Sequence, residues 1–286
     1  MSDLLRNACS FLFVPASQPD RLLKALASPA DMVIADWEDA VAPAEKGLAR
    51  SILEAEVPKL PAAQRARLLV RINAAGTAWF DDDVQALTRL VAQGIAGAVV
   101  PKSESEAQLT AIAQQAGPAC ALVALVETVA GVDALDTLAH APQVQRLAFG
   151  HLDFQVDAGM QCAVDEGELL PTRMAFVMAS RRAQLAQPID GVTVDTKDAA
   201  RISSDTARAL RMGFGAKLCI HPVQVCGVNA VFAPSETAVA HAQAVVDAME
   251  VAQGGVCVVA GKMVDAPVLH LAQRTLLRHT WAQQRA

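Results

Sequence analysis

At 286 residues and 53% hydrophobic content, the chain can bury a large core, as one big domain or two ordinary ones. Its formal charge of −6, with no Lys/Arg-rich block, excludes the basic surface that nucleic-acid phosphates demand. No run of about 18 apolar residues occurs, and MSDLLRNACSFLFVP lacks the basic segment, apolar stretch and cleavage site of a signal peptide, so a cytoplasmic protein without a membrane partner is expected.

In chain order, short apolar runs alternate with longer helical patterns. SFLFVP leads into ASQPD, where Ser17 reads as an N-cap and Pro19 as a first-turn residue of a helix carrying Arg21 and Lys24. A helix N-terminus and basic side chains both favour phosphate. A phosphate-bearing ligand such as coenzyme A and plain solvation of both side chains stay open. DMVIAD delivers the chain into Asp36, Glu38 and Asp39 around Trp37, RLLVRIN ends in Arg71 and Asn73, and GAVVPK ends in Lys102. SESEAQLTAIAQQAG reads as a helix capped by Ser103, with Glu106 completing a capping box and Gly117 as the stop. CALVALVET brings Glu127, RLAFGHLDF brings His151 and Asp153, IDGVTVD brings Asp195, and AKLCIHP brings His221.

Eight strand-like runs with intervening helices predict an α/β fold, a (β/α)8 TIM barrel over residues 1–230, with strands buried on both faces. A dinucleotide fold is disfavoured because the turn after the first strand has no glycine. Residues 231–286 then form a C-terminal helical extension or lid. Val239, Ala242, Val245, Val246 and Met249 share one helical face there, followed by the strand-like GGVCVVAGKMVDAP and a last helix. An apolar tail of this kind covers its own barrel or a neighbouring subunit. Six cysteines are scattered without a C-x-x-C pair, so neither a disulfide framework nor a zinc site is expected.

Chemistry in such a barrel sits at the C-terminal ends of the strands. A carboxylate cluster without a cation raises its own pKa values, and oxygen donors without a Cys–His grouping suit Mg2+. A lone strand-end carboxylate is ordinarily a cap or a surface ion pair. Glu127 and Asp153 together, on adjacent strands, point instead to a metal. Arg71 reads either as a structural partner of the acids or as a bidentate clamp for a substrate carboxylate. His151 and His221 read as structural, and Lys102 as a lysine paired with nearby acids rather than a Schiff-base nucleophile.

The segments LFVP, DWEDAVAP, VRIN, VVPK, LVET, FGHLDF, DGVTVDTKD, GAKLCIHPVQV and GKMVDAP run in this order over nearly the whole chain. Together they resemble the citrate lyase beta subunit-like members of the HpcH/HpaI aldolase superfamily. The resemblance implies a Mg2+-dependent carbon–carbon lyase acting on citryl-, malyl- or citramalyl-CoA and assembling as a homotrimer or hexamer. It implies that Glu127 and Asp153 bind Mg2+, with Glu127 also beside the substrate, and that Arg71 holds the keto-acid carboxylate. Asp265 would serve as acid/base from a tail that covers a neighbouring subunit's site. Phe13, Arg21 and Lys24 would contact the substrate or its CoA portion. Asp36, Glu38 and Asp39 would surround these groups, with Glu38 and Asp39 hydrogen-bonding magnesium waters and orienting Arg71.

Ala16, Trp37 and His151 depart from the family's common pattern and bear on substrate choice more than on reaction class. Two other readings stand beside the lyase: malate synthase or acyl-CoA thioesterase chemistry at the same site, and a non-catalytic acyl-CoA-binding scaffold.

Overall fold

In the computed structural model, which describes residues 3–253 and 255–285, eight parallel strands close into a barrel. They are β1 (Ser10–Pro15), β2 (Met32–Asp36), β3 (Leu68–Arg71), β4 (Gly97–Val100), β5 (Ala121–Val126), β6 (Val144–Phe149), β7 (Ile189–Asp190) and β8 (Ala216–Cys219). Each pairs with the next, and β8 returns to β1. Strands β2 to β5 are buried along their whole length, which is why they read as continuous apolar runs.

Side chains alternate across a strand. Phe11, Met32, Ile34, Leu69, Val99, Val123, Leu125 and Leu218 belong to one buried cluster. Two residues further along β1, β2, β3 and β5, the same parity brings Phe13, Asp36, Arg71 and Glu127 to the C-terminal rim. Register completes the arrangement: Pro15 pairs with Asp36, and Asp36 with Arg71.

Arg146, only 1% exposed, belongs to the opposite end. Its guanidinium donates to the carbonyls of Leu5 (3.3 Å), Ala8 (2.6 Å) and Gln187 (2.7 Å) and lies 5.4 Å from the Phe11 ring centre. Burial pulls its pKa down to about 10, because three carbonyl dipoles do not replace the hydration of a full charge.

Four local expectations are corrected. β6 stops at Phe149, and His151–Asp157 is a helix, so Asp153 sits on a helical first turn and not on a strand. A short apolar run does not by its period tell strand from helix. β7 is two residues long, and Asp195 lies beyond it in a turn, accepting the N–H groups of Lys197 and Asp198. The first helix after β1, Pro19–Leu26, has Gln18 and not Ser17 at its N-cap, with no side-chain cap bond. Ser105 and not Ser103 precedes the helix Glu106–Ala116; the Ser103 hydroxyl donates to the Val100 carbonyl instead.

The chain divides between Val228 and Asn229 into two compact units. In the second, Ser235 accepts the Ala238 N–H to start the helix Glu236–Val251, followed by the hairpin β9 (Cys257–Val259) and β10 (Lys262–Val264) and the helix Ala266–Arg285. Ala242, Val245, Met249, Val264 and Ala272 form its core. Among the described residues no helix is long and apolar enough to cross a membrane.

Candidate active site

A cavity of about 420 Å3 opens at the C-terminal rim of the barrel. Phe13, Leu125, Phe149, Val192 and Leu218 supply apolar lining, while Arg21, Asp36, Asp39, Arg71, Glu127, His151 and Asp153 supply its polar and charged walls.

Arg71 is gripped by three acids. Asp36 accepts from Nε (2.7 Å) and Nη2 (2.6 Å), and Glu38 and Asp39 stand 3.0 and 3.1 Å from Nη1. The Phe13 ring centre lies 4.8 Å from the guanidinium carbon. Asp36 also accepts the backbone N–H groups of Glu38 and Ala40, so one buried carboxylate sets both the arginine and the loop after β2. Burial alone would lower the Arg71 pKa; the hydrogen bond and charge of Asp36, with Glu38 and Asp39, raise it above its ordinary value. Glu38 shows the opposite balance. Burial, reinforced by the charges of Asp39, Glu127 and Asp36, outweighs the pull of Arg71 and pushes it up to about 8. Asp36 and Glu38 are buried, whereas the Asp39 side chain is 72% exposed. Asp39 is therefore the acid most easily displaced from Arg71 by an incoming carboxylate.

Glu127, 3% exposed, follows β5. Its Oε1 accepts the backbone N–H of Lys102 at 2.9 Å, and Lys102 adopts a left-handed φ of 45° to make that contact. Such a conformation costs on the order of 1–3 kcal/mol for a non-glycine residue. Gly150, just past β6, leaves room for the carboxylate: a Cβ there would lie 2.5 Å from both Cβ and Oε2 of Glu127. Asp153 is exposed in the first turn of the next helix. Burial first, then the Asp153 charge, raises the Glu127 pKa to about 7 against the Lys102 N–H and the charges of Arg71 and Lys102.

Two mutually repelling carboxylates on one cavity wall fit a divalent cation. Among the described residues no group of three or more His, Cys, Asp or Glu could hold a metal ion. The two carboxylates that line the cavity suit Mg2+, which takes one or two protein carboxylates and leaves its other positions to water and substrate.

The remaining expected residues scatter. Arg21 is exposed at the cavity wall; Lys24, on the same helix, is exposed and outside the lining. Asp265 lies in the second unit, where Oδ1 accepts the Val268 N–H (3.3 Å) at the start of the last helix. His221 is exposed and its Nδ1 accepts the Val223 N–H. Trp37 is fully buried and outside the lining, whereas His151, 2% exposed, lines the cavity with Nε2 3.4 Å from Glu166.

Sequence reasoning missed three groups. Lys46 holds the loop after β2. Asp83 accepts both N–H groups of Asn73. Glu166 joins His151 and Arg173, and Arg173 continues to buried Asp190 at 2.9 Å. Burial would raise the Glu166 pKa, yet His151 and Arg173 hold it well below the usual carboxylate range. Asp190 had a signal, an acid directly after an apolar strand residue in IDG. Lys46, Asp83 and Glu166 had none, because their partners are brought together only by folding.

The model of the HpcH/HpaI aldolase/citrate lyase family matches residues 9–222. A citrate lyase subunit beta-like protein of Deinococcus radiodurans is 34% identical, covering 94% of this chain and 96% of its own. A (3S)-malyl-CoA thioesterase of Cereibacter sphaeroides is 32% identical over 94% and 93%. The crystal structure of CitE from Mycobacterium tuberculosis in complex with magnesium, acetoacetate and coenzyme A superimposes with a TM-score of 0.82 at 32% identity, covering 96% and 99%.

Proposed function

Since the chain belongs to the HpcH/HpaI aldolase/citrate lyase family, we propose that it is a Mg2+-dependent carbon–carbon lyase that splits a 3-hydroxyacyl-CoA of the citryl, malyl or citramalyl type into an acyl-CoA and a keto acid. The observation that carries this reading is the meeting of Glu127, Asp153 and Arg71 in one cavity. Glu127 and Asp153 would hold Mg2+, which supplies a Lewis acid that lowers the pKa of the substrate hydroxyl and offsets negative charge on the keto acid.

The chain's own residues do the rest. Arg71, held side-on by Asp36, binds the substrate carboxylate through the edge that faces Glu38 and Asp39. Phe13 flattens the floor beneath it. Arg21 and Lys24 attract the CoA phosphates at the mouth. Asp265, from the tail of a neighbouring subunit in a homotrimer or hexamer, moves the proton: the hydroxyl gives it up, the C2–C3 bond breaks, and its electron pair leaves as the acyl-CoA enolate, which is then protonated. Arg71 meets the charge that develops on the keto acid.

The thioesterase named among the relatives favours a second reading, in which water cleaves the thioester at the same site. Incubating the protein with Mg2+ and citramalyl-, malyl- and citryl-CoA, with and without EDTA, separates the two. Keto acid with acyl-CoA identifies a lyase, and free CoA thiol a thioesterase. No product from any of the three thioesters overturns both and leaves the acyl-CoA-binding scaffold.

A further inference from the structure

The loop that carries Trp37, Glu38 and Asp39 is tied down from below by Lys46, the first residue of the helix Lys46–Glu56. Its ammonium donates to the carbonyls of Trp37 (2.8 Å) and Glu38 (2.7 Å) and to Oδ1 of Asn73 (2.7 Å). An ammonium has three protons and no acceptor, so these bonds use its whole capacity. Lys46 is 5% exposed and its Nζ lies 5.2 Å from the Trp79 ring centre.

Lys46 therefore joins the loop after β2 to the loop after β3, the two segments between which Arg71 meets its acids. Asn73 is itself held. Asp83 Oδ2 accepts its backbone N–H (2.8 Å) and its Nδ2 (2.6 Å), and Asp83 Oδ1 is fixed by Arg50 at 2.7 Å. A continuous chain runs from Arg50 through Asp83, Asn73 and Lys46 to the Glu38 main chain.

We propose that Lys46 is a positioning residue: it sets the backbone of residues 37–38 so that Glu38 and Asp39 face Arg71, and Asp83 acts on the same loop through Asn73. Lys46 does not line the cavity, and its ammonium bonds main-chain carbonyls and Asn73, not the acids' carboxylates. Its effect is therefore on the geometry of the arginine clamp. The kinetic half of the inference rests on the lyase reading; the structural half does not.

The loop amides report directly, because the N–H groups of Trp37, Glu38, Ala40 and Val41 are each hydrogen-bonded to Arg71, Asp36 or Glu38. Lys46→Met keeps the aliphatic bulk and removes the three donors. Amide hydrogen exchange of residues 37–41 in this variant is expected to quicken by about tenfold or more, with β2 and β3 exchanging as in the unmutated protein. On the thioester cleaved by the unmutated protein, kcat is expected to fall about 10–100-fold, as for loss of a supporting hydrogen bond. Asp83→Asn, more remote, should show both effects in weaker form.

Unchanged exchange at residues 37–41 in Lys46→Met overturns the proposal. Loss of protection spread equally over β2 and β3 overturns it too, by making Lys46 a general stabiliser. A kcat equal to that of the unmutated protein removes the catalytic half. Failure of the unmutated protein to turn over any thioester sinks the lyase reading separately, and exchange alone then decides whether Lys46 positions the loop.

Discussion

Glu38→Gln tests the electrostatics of the arginine clamp without a substrate. Burial lifts the folded-state pKa of Glu38 to about 8, above its ordinary value of 4.5. Between these values the folded protein keeps a proton that the unfolded chain has released. The stability held by the protonated acid is full below about pH 4.5 and is lost as pH rises through about 8. At 1.36 kcal/mol per pKa unit, the loss at pH 9 is on the order of 5 kcal/mol as an upper limit. Glutamine keeps the shape and an acceptor for Arg71 but cannot ionise. In EDTA, urea-unfolding midpoints at pH 5, 7 and 9 should therefore match at pH 5, with the variant ahead by several kcal/mol at pH 9. Parallel pH profiles for variant and unmutated protein would refute the reasoning and mean that the Arg71 ion pair outweighs desolvation.

Three further outcomes follow from the geometry. Gly150→Ala sets a methyl group 2.5 Å from Glu127, so Mg2+ affinity measured by calorimetry should drop at least about tenfold, with a stability loss of about 1–3 kcal/mol. Arg146→Met removes the guanidinium donor from three carbonyls, those of Leu5 and Ala8 buried and that of Gln187 half-buried. These bonds to a charged donor contribute about 2 kcal/mol each, partly offset by the roughly 3 kcal/mol that burying the guanidinium costs; a net loss of about 3 kcal/mol in urea unfolding is expected, with CoA-ester turnover per folded molecule unchanged. Asp265→Asn should lower turnover at least about 100-fold while Mg2+ binding stays as in the unmutated protein; equal turnover would return Asp265 to its role as the cap of the last helix.

Much of the barrel was legible in the residues themselves. MVIAD, LLVR and ALVALV are apolar on both parities because those strands are covered inside by the barrel core and outside by helices, a local pattern that needs no knowledge of the partner strands. Alternation along β2, β3 and β5 likewise set Asp36, Arg71 and Glu127 at the rim, where a barrel exposes strand ends. Helix boundaries were less legible. Ser17 and Ser103 have the chemistry of caps, but the turns place Gln18 and Ser105 at the N-cap positions.

Only the tertiary structure decided how the charges are shared. Parallel register set Asp36 beside Arg71 across 35 residues of sequence, and close approach at Gly150 set the Glu127 carboxylate against the wall that bears Asp153. Folding also carried Lys46 to Asn73 and Glu166 to His151 and Arg173. The physical reason is that hydrophobic periodicity is written residue by residue. An ion pair or a buried hydrogen bond instead depends on distances of about 3 Å between groups far apart in the chain, and packing alone sets those distances.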